Sequence, residues 1–97
     1  MRYFKRPWEE SRGDEYDAWG TSIWYLELDE QGGVARQLEI YENGTALKYD
    51  ASHLEDRYGG LSDATLDVEE DGFAPFEIEC AEFESTWQAT RALNRKG

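Results

Sequence analysis

The fold turns on Val34-Ala35-Arg36-Gln37-Leu38-Glu39-Ile40-Tyr41-Glu42-Asn43-Gly44-Thr45-Ala46-Leu47-Lys48-Tyr49. Asn43-Gly44 stands between two runs of alternating apolar and polar residues, the pairing that a two-residue type I′ hairpin favours because both central residues need φ > 0. Such a turn predicts Glu42 opposite Thr45, hence Ile40 opposite Leu47, Leu38 opposite Tyr49 and Glu39 opposite Lys48. Apolar then meets apolar and acid meets base, whereas a slip of one residue would turn Leu38 and Ile40 to the wrong face. Val34, Leu38 and Ile40 are expected inward. Arg36 shares their face and must reach an edge or a carboxylate, since a buried charge needs a partner.

Working outward, Thr21 to Asp29 alternates with Trp24, Leu26 and Leu28 on one face and Ile23, Tyr25 and Glu27 on the other. Asp29-Glu30-Gln31-Gly32-Gly33 reads as the hairpin loop joining it to Val34. Arg2 to Trp8 makes a further strand, with Pro7 near its end as suits an edge, and Glu9 to Gly20 makes a polar loop. From Asp50 to Phe76 the periodicity dissolves into loop, with a short helical turn expected near Leu61 to Leu66. Phe76 to Ile78 is a short extended piece leading into a helix over Cys80 to Leu93, whose apolar stripe is Cys80, Phe83, Trp87 and Thr90 or Leu93. Glu77, Glu79, Glu82 and Glu84 at its start and Arg91, Arg95 and Lys96 at its end oppose the helix dipole.

These elements predict an α+β fold: a four-stranded antiparallel β-meander with one C-terminal α-helix packed on one face. The helix is expected over Phe4, Trp8, Trp24, Leu26, Leu28, Leu38, Ile40, Leu47 and Tyr49. The opposite face, with Tyr3, Ile23, Tyr25 and Tyr41 beside Lys5, Gln37 and Glu39, is expected bare and open to partner binding or a homodimer. With 97 residues the chain is expected to form a single domain, 1–97.

Acids number 22 against 10 bases, a net charge of −12, which excludes binding of nucleic acid or anionic membranes by charge neutralisation. Four Trp, six Tyr and four Phe are far more than a disordered acidic tail carries. No apolar run approaches the roughly 18 residues of a membrane span, and no leader is legible near Met1, so a cytoplasmic protein is expected. In that setting Asn43-Gly44-Thr45 is a turn rather than a glycosylation site. A single cysteine and a single histidine cannot build a structural zinc site, and no cofactor is expected. Cys80, on the apolar stripe, reads as a buried inert thiol, and His53 as a surface or capping residue.

The acidity is concentrated. Residues 50–84 hold twelve acids and one base. Asp67-Val68-Glu69-Glu70-Asp71-Gly72 lacks the continuation of an EF-hand calcium loop, and neither Gly32-Gly33 nor Gly59-Gly60 precedes a helix as a phosphate cradle would. Self-repulsion of this size destabilises a small domain unless something offsets it, and a positively charged partner would. The candidate partner-binding residues are therefore Asp56, Asp63, Asp67, Glu69, Glu70 and Asp71. The aromatic candidates are Trp19, Tyr16 and Tyr58, with Trp19 as interface anchor.

Four stretches together resemble an uncharacterised family of short acidic bacterial proteins. They are the Met1-Arg2-Tyr3 strand reaching Trp8, Trp24-Tyr25-Leu26-Glu27-Leu28-Asp29, Arg36-Gln37-Leu38-Glu39-Ile40-Tyr41 to Gly44, and Glu82-Phe83-Glu84 ending in Trp87. Members of that family are encoded beside secreted toxin genes and have no known enzymatic activity. The resemblance thus implies an immunity protein that neutralises a cognate toxin, and it identifies no site residues. A basic, nuclease-like toxin domain is the partner that an acidic surface fits, with no reaction performed by this chain. Two alternatives use the same acids differently: a DNA mimic that inhibits a DNA-binding protein, and a small metal-dependent hydrolase with a carboxylate pair in a pocket.

Overall fold

A computed structural model describes residues 1–95 as an α+β fold, an antiparallel sheet with one C-terminal helix on one face. Strands β1 (Arg2–Trp8), β2 (Ser22–Leu28), β3 (Val34–Tyr41) and β4 (Ala46–Tyr49) form the consecutive meander. A two-residue ribbon, β5 (Glu55–Asp56) with β6 (Gly59–Gly60), lies in the acidic middle region. The extended piece before the helix, β7 (Glu77–Ile78), adds a fifth strand to the sheet beside β1. Helix α1 runs Cys80–Ala89. No helix among the described residues is long and apolar enough to cross a membrane.

The β3–β4 hairpin exists, but its register differs by one from the type I′ expectation. Gln37 faces Tyr49, Leu38 faces Lys48, Glu39 faces Leu47 and Ile40 faces Ala46. Tyr41 N–H donates to the Thr45 carbonyl at 2.7 Å and Gly44 N–H to the Tyr41 carbonyl at 2.8 Å, so the loop is the three residues Glu42-Asn43-Gly44. Only Gly44 has positive φ, +93°, while Asn43 uses its side chain instead, accepting the Thr45 N–H at 3.0 Å. Asn-Gly thus served the three-residue loop, in which one glycine takes the left-handed position.

That shift, with a β-bulge at Glu27/Leu28, redistributes the faces. Glu27 pairs with Arg36 and Leu28 with Val34, so Ala35 is the extra residue and Val34 leaves the face of Leu38. Leu38 and Ile40 lie with Tyr3, Ile23, Tyr25, Ala46 and Ile78 under the helix, where Phe83 is fully buried and Trp87 packs beside it. The face expected bare is therefore divided: Tyr3, Ile23 and Tyr25 lie under the helix, whereas Tyr41, Gln37 and Glu39 lie on the loop-covered side, so the uncovered sheet face expected to serve a homodimer is not formed among the described residues. Arg36 does share the face of Leu38 and reaches carboxylates as expected: its guanidinium grips Glu27 at 2.8 Å and Glu84 at 2.8 and 3.0 Å while lying over Phe83 and Trp87.

Of the residues assigned to the helix, Leu38 and Ile40 do lie under it, whereas Phe4, Trp24, Leu26, Leu28, Leu47 and Tyr49 are instead covered by loops. Phe73, Leu66, Val68 and Leu61 pack on Phe4, Leu26, Leu28 and Val34, and Trp19, Tyr58 and Leu61 pack on Tyr41, Leu47 and Tyr49. No helical turn forms over Leu61 to Leu66, because its backbone donors are used at a distance. Leu61 N–H bonds the Leu54 carbonyl at 2.8 Å and Leu66 N–H the Gly32 carbonyl at 2.9 Å.

Helix α1 stops at Ala89, short of Leu93, which is exposed. The chain there leaves the helix to line the open edge of β4. Leu93 N–H donates to the Ala46 carbonyl, and Asn94 bonds both the N–H and the carbonyl of Lys48 at 2.9 Å. Arg91 and Arg95 consequently lie past the helix rather than in its last turn, and Lys96 falls outside the described residues. Cys80 is exposed, not buried: it opens α1 two residues after the edge strand β7, and there is no sheet beyond it to pack on.

Gly32 and Gly44 separate two effects of glycine replacement. Both have positive φ, +87° and +93°, so alanine at either strains the backbone by about 1 kcal/mol. Gly44 opens onto empty space, whereas a Cβ on Gly32 would drive into the Leu66 carbonyl. Urea denaturation should place Gly44→Ala within about 1–1.5 kcal/mol of the parent and Gly32→Ala lower by a further ~1–3 kcal/mol. Equal losses would mean that the Leu66 segment does not pack on the β2–β3 loop.

Candidate functional site

The acidic loop is built by its own aspartates. Asp67 Oδ1 accepts the N–H groups of Glu69 and Glu70, each at 3.0 Å, and Asp71 Oδ2 accepts the Asp67 N–H at 2.8 Å. This turn closes with Phe73 N–H on the Val68 carbonyl, which sets Val68 and Phe73 into the core below. Asp63, Asp67, Glu69, Glu70 and Asp71 are all exposed. The five acids share one covering loop, two of them also shaping it.

Asp56 is placed differently. One carboxylate oxygen accepts the Tyr49 hydroxyl at 2.9 Å and the Tyr58 N–H at 2.8 Å, and the other meets His53 Nε2 at 2.8 Å and Asn94 Nδ2 at 2.9 Å. Burial pushes this carboxyl up, but the donors of His53, Asn94, Tyr58 and Tyr49 outweigh it and hold its pKa at about 2. Its acceptors face the interior, tying β4, the β5–β6 ribbon and the C-terminal segment to one another. His53 is correspondingly half-buried as a partner of Asp56.

The structure brings the three aromatic candidates Tyr16, Trp19 and Tyr58 together in one cluster. Ring centroids lie 4.7 Å apart for Tyr16–Trp19, 5.3 Å for Tyr16–Tyr58 and 5.9 Å for Trp19–Tyr58. Trp19 also meets Tyr41 edge-on at 5.1 Å and packs over Leu47 and Tyr49, so it closes one end of the core. Arg12 locks this cluster. Its guanidinium lies over the rings of Tyr16, Trp19 and Tyr41 and bonds the Asp14 carboxylate, the Tyr41 hydroxyl and the Tyr58 carbonyl.

Between the two covering loops lies a cleft that the sequence reading did not find. Its apolar half, about 170 Å³, is walled by Trp8, Trp24, Leu26, Val34, Leu66 and Phe73. Trp8 and Trp24 also border a polar half of about 370 Å³ that holds Glu10, Arg12, Asp14, Glu39 and Tyr41. Glu39 is 4% exposed, yet it carries a carboxylate. Burial lifts its pKa above the ordinary value, opposed by hydrogen bonds from the Tyr41 hydroxyl at 2.5 Å and Gln37 Nε2 at 2.7 Å. Gln37 in turn donates to the Gly60 carbonyl and accepts the Ser62 N–H, which anchors the covering loop to β3. The available signal was Trp8 at a strand end, with the polar Gln37 and Glu39 inside a strand. Those positions read as solvent-facing because they alternate with Leu38 and Ile40. Among the described residues, no three His, Cys, Asp or Glu side chains are grouped to hold a metal ion.

No family model, curated protein or solved structure matches this chain, and none of these comparisons bears on the family resemblance.

The Asp56 geometry predicts an acid limb in the stability curve. Its folded pKa of about 2 lies below the ordinary unfolded value, so its contribution is full above roughly pH 4 and is lost as pH falls through 2. Asp56→Asn would set an amide N–H₂ against the donors of His53 and Asn94. It should lower stability by about 2 kcal/mol at pH 7 and flatten the curve between roughly pH 4 and 2. Chemical denaturation across that range measures both.

Proposed function

We propose that this chain is an immunity-type protein that binds and neutralises a cognate bacterial toxin, a basic nuclease-like domain, in the cytoplasm, and catalyses no reaction itself. The observation carrying this reading is the unequal use of charge. Arg2, Arg12, Arg36 and Arg95 pair with Glu77, Asp14, Glu27 with Glu84, and Asp50, all within the fold. Among the described residues no ion pair reaches Asp63, Asp67, Glu69, Glu70 or Asp71, although they crowd one exposed loop. Their field is left to act outward.

A toxin must be stopped before it acts, and that favours fast capture. Opposite potentials on inhibitor and toxin raise association toward roughly 10⁸–10⁹ M⁻¹s⁻¹ at low salt. The family resemblance of the sequence supports the same role. Co-expression with the product of an adjoining toxin gene, scored by growth rescue and co-purification, tests it directly. Capture of a DNA-binding protein that duplex DNA displaces would assign the acids to DNA mimicry instead.

The loop geometry dictates which acids to reverse. Asp67 and Asp71 hold the turn, so Asp63→Lys, Glu69→Lys and Glu70→Lys together remove the outward charge and spare the scaffold. In stopped-flow measurements with the toxin, the triple variant should associate about tenfold or more slowly at low salt and lose most of its salt dependence. Its melting temperature should hold or rise, since like-charge repulsion falls. Unchanged association kinetics would place the interface elsewhere.

A further inference from the structure

The apolar half of the cleft is open to solvent although it is lined almost wholly by hydrocarbon. Trp24, Leu26 and Val34 on β2 and β3 form its floor, with Trp8, Leu66 and Phe73 as walls. Trp8 stands at its edge, 47% exposed. An apolar cavity of roughly 150 Å³ suffices for a benzene ring, so about 170 Å³ is room for a single aromatic side chain.

Charge around the cleft selects what that side chain is attached to. Two cations border it: Arg12 is charge-paired with Asp14, whereas Arg6 is fixed in place with no carboxylate partner among the described residues. Arg6 donates to the Asp71 carbonyl at 2.8 Å and lies over Phe73 at 4.7 Å and Phe76 at 5.4 Å, so it serves as wall. Arg12 is held by Asp14, Tyr41 and Tyr58. On one side the cleft runs into the polar half with Glu10 and Glu39, and on the other the Arg6–Asp71 bond joins it to the acidic turn. A segment leaving the slot toward the polar half meets the exposed Glu10, and one leaving past Arg6 meets the acidic turn.

We propose that this slot is the anchor pocket of the partner interface: it takes one aromatic side chain from a basic segment of the toxin, with a neighbouring Lys or Arg directed to the exposed Glu10. The proposal rests on the reading of the partner as a basic protein and supplies what charge alone does not. Exposed acids speed encounter, whereas a desolvated aromatic in a pocket slows escape.

The test uses the full chain and does not need the toxin. ¹H–¹⁵N spectra are recorded during titration with three peptide probes: acetyl-Lys-Phe-Lys-amide, acetyl-Lys-Ala-Lys-amide and acetyl-Glu-Phe-Glu-amide. The first should shift the indole N–H resonances of Trp8 and Trp24 saturably, and the other two should bind at least about fivefold more weakly. An equal response to the alanine peptide, or silent indoles, overturns the slot. An equal response to the glutamate peptide overturns its preference for a basic segment. Trp8→Ala should weaken the phenylalanine peptide at least about fivefold with little change in melting temperature, because that ring is half exposed. Should the variant fail to fold, the peptide series on the parent chain decides alone. Toxin rescue that persists in a folded Trp8→Ala variant with unaltered dissociation would overturn the pocket and keep the immunity role. Peptide binding without toxin rescue would do the reverse.

Discussion

A five-stranded sheet has two apolar faces, and the described residues form one ten-residue helix to cover them. The second face must be shielded by irregular chain, and irregular chain brings backbone N–H groups that neither helix nor sheet satisfies. Aspartate meets that demand. Asp14, Asp17, Asp29, Asp50, Asp56, Asp67 and Asp71 each accept at least one backbone N–H from a nearby loop residue. Of the eight aspartates, only Asp63 has no such bond among the described residues. Short acidic side chains make local turns of this kind where longer ones do not reach as well. Part of the −12 charge is therefore a consequence of building a second layer from loops.

This distinction changes what acidity says about function. A run such as Asp67-Val68-Glu69-Glu70-Asp71 reads in sequence as one negative block. In the fold, its aspartates define the turn and its glutamates project from it. Asp56, read in sequence with the same block, turns inward to four donors. On the proposed reading, the charge offered to a partner is the part that the fold does not use.

The meander, the hairpin at Asn43-Gly44 and the start of the helix were legible because strict alternation and turn residues are local signals. The faces were not. Leu38 and Ile40 are apolar, but so are Leu47 and Tyr49 across the strand, and with both faces covered either register buries hydrocarbon. The choice fell to one residue of loop length and to the bulge that sets Val34 with Leu28. The helix end was hidden for a similar reason. Residues 90–95 keep helical composition, yet the unpaired edge of β4 competes for their backbone and wins at Leu93 and Asn94. The cleft was beyond reach, since Trp8, Trp24, Val34, Leu66 and Phe73 come from separate segments with no shared period.

The same loop cover couples the two parts of the proposed interface. Phe73 is at once a wall of the apolar slot, a core residue against Phe4 and the residue that ends the acidic turn. Arg6 binds the Asp71 carbonyl and lies on the Phe73 ring, so the turn cannot shift without reshaping the slot. A partner that fills the slot and neutralises the glutamates would act on one element. It would relieve the repulsion within the loop and hold the wall against the sheet, stabilising the folded chain by mass action as well as by contact. Loop cover is the least stable way to close a sheet, and here it is also the layer that such a partner would reinforce.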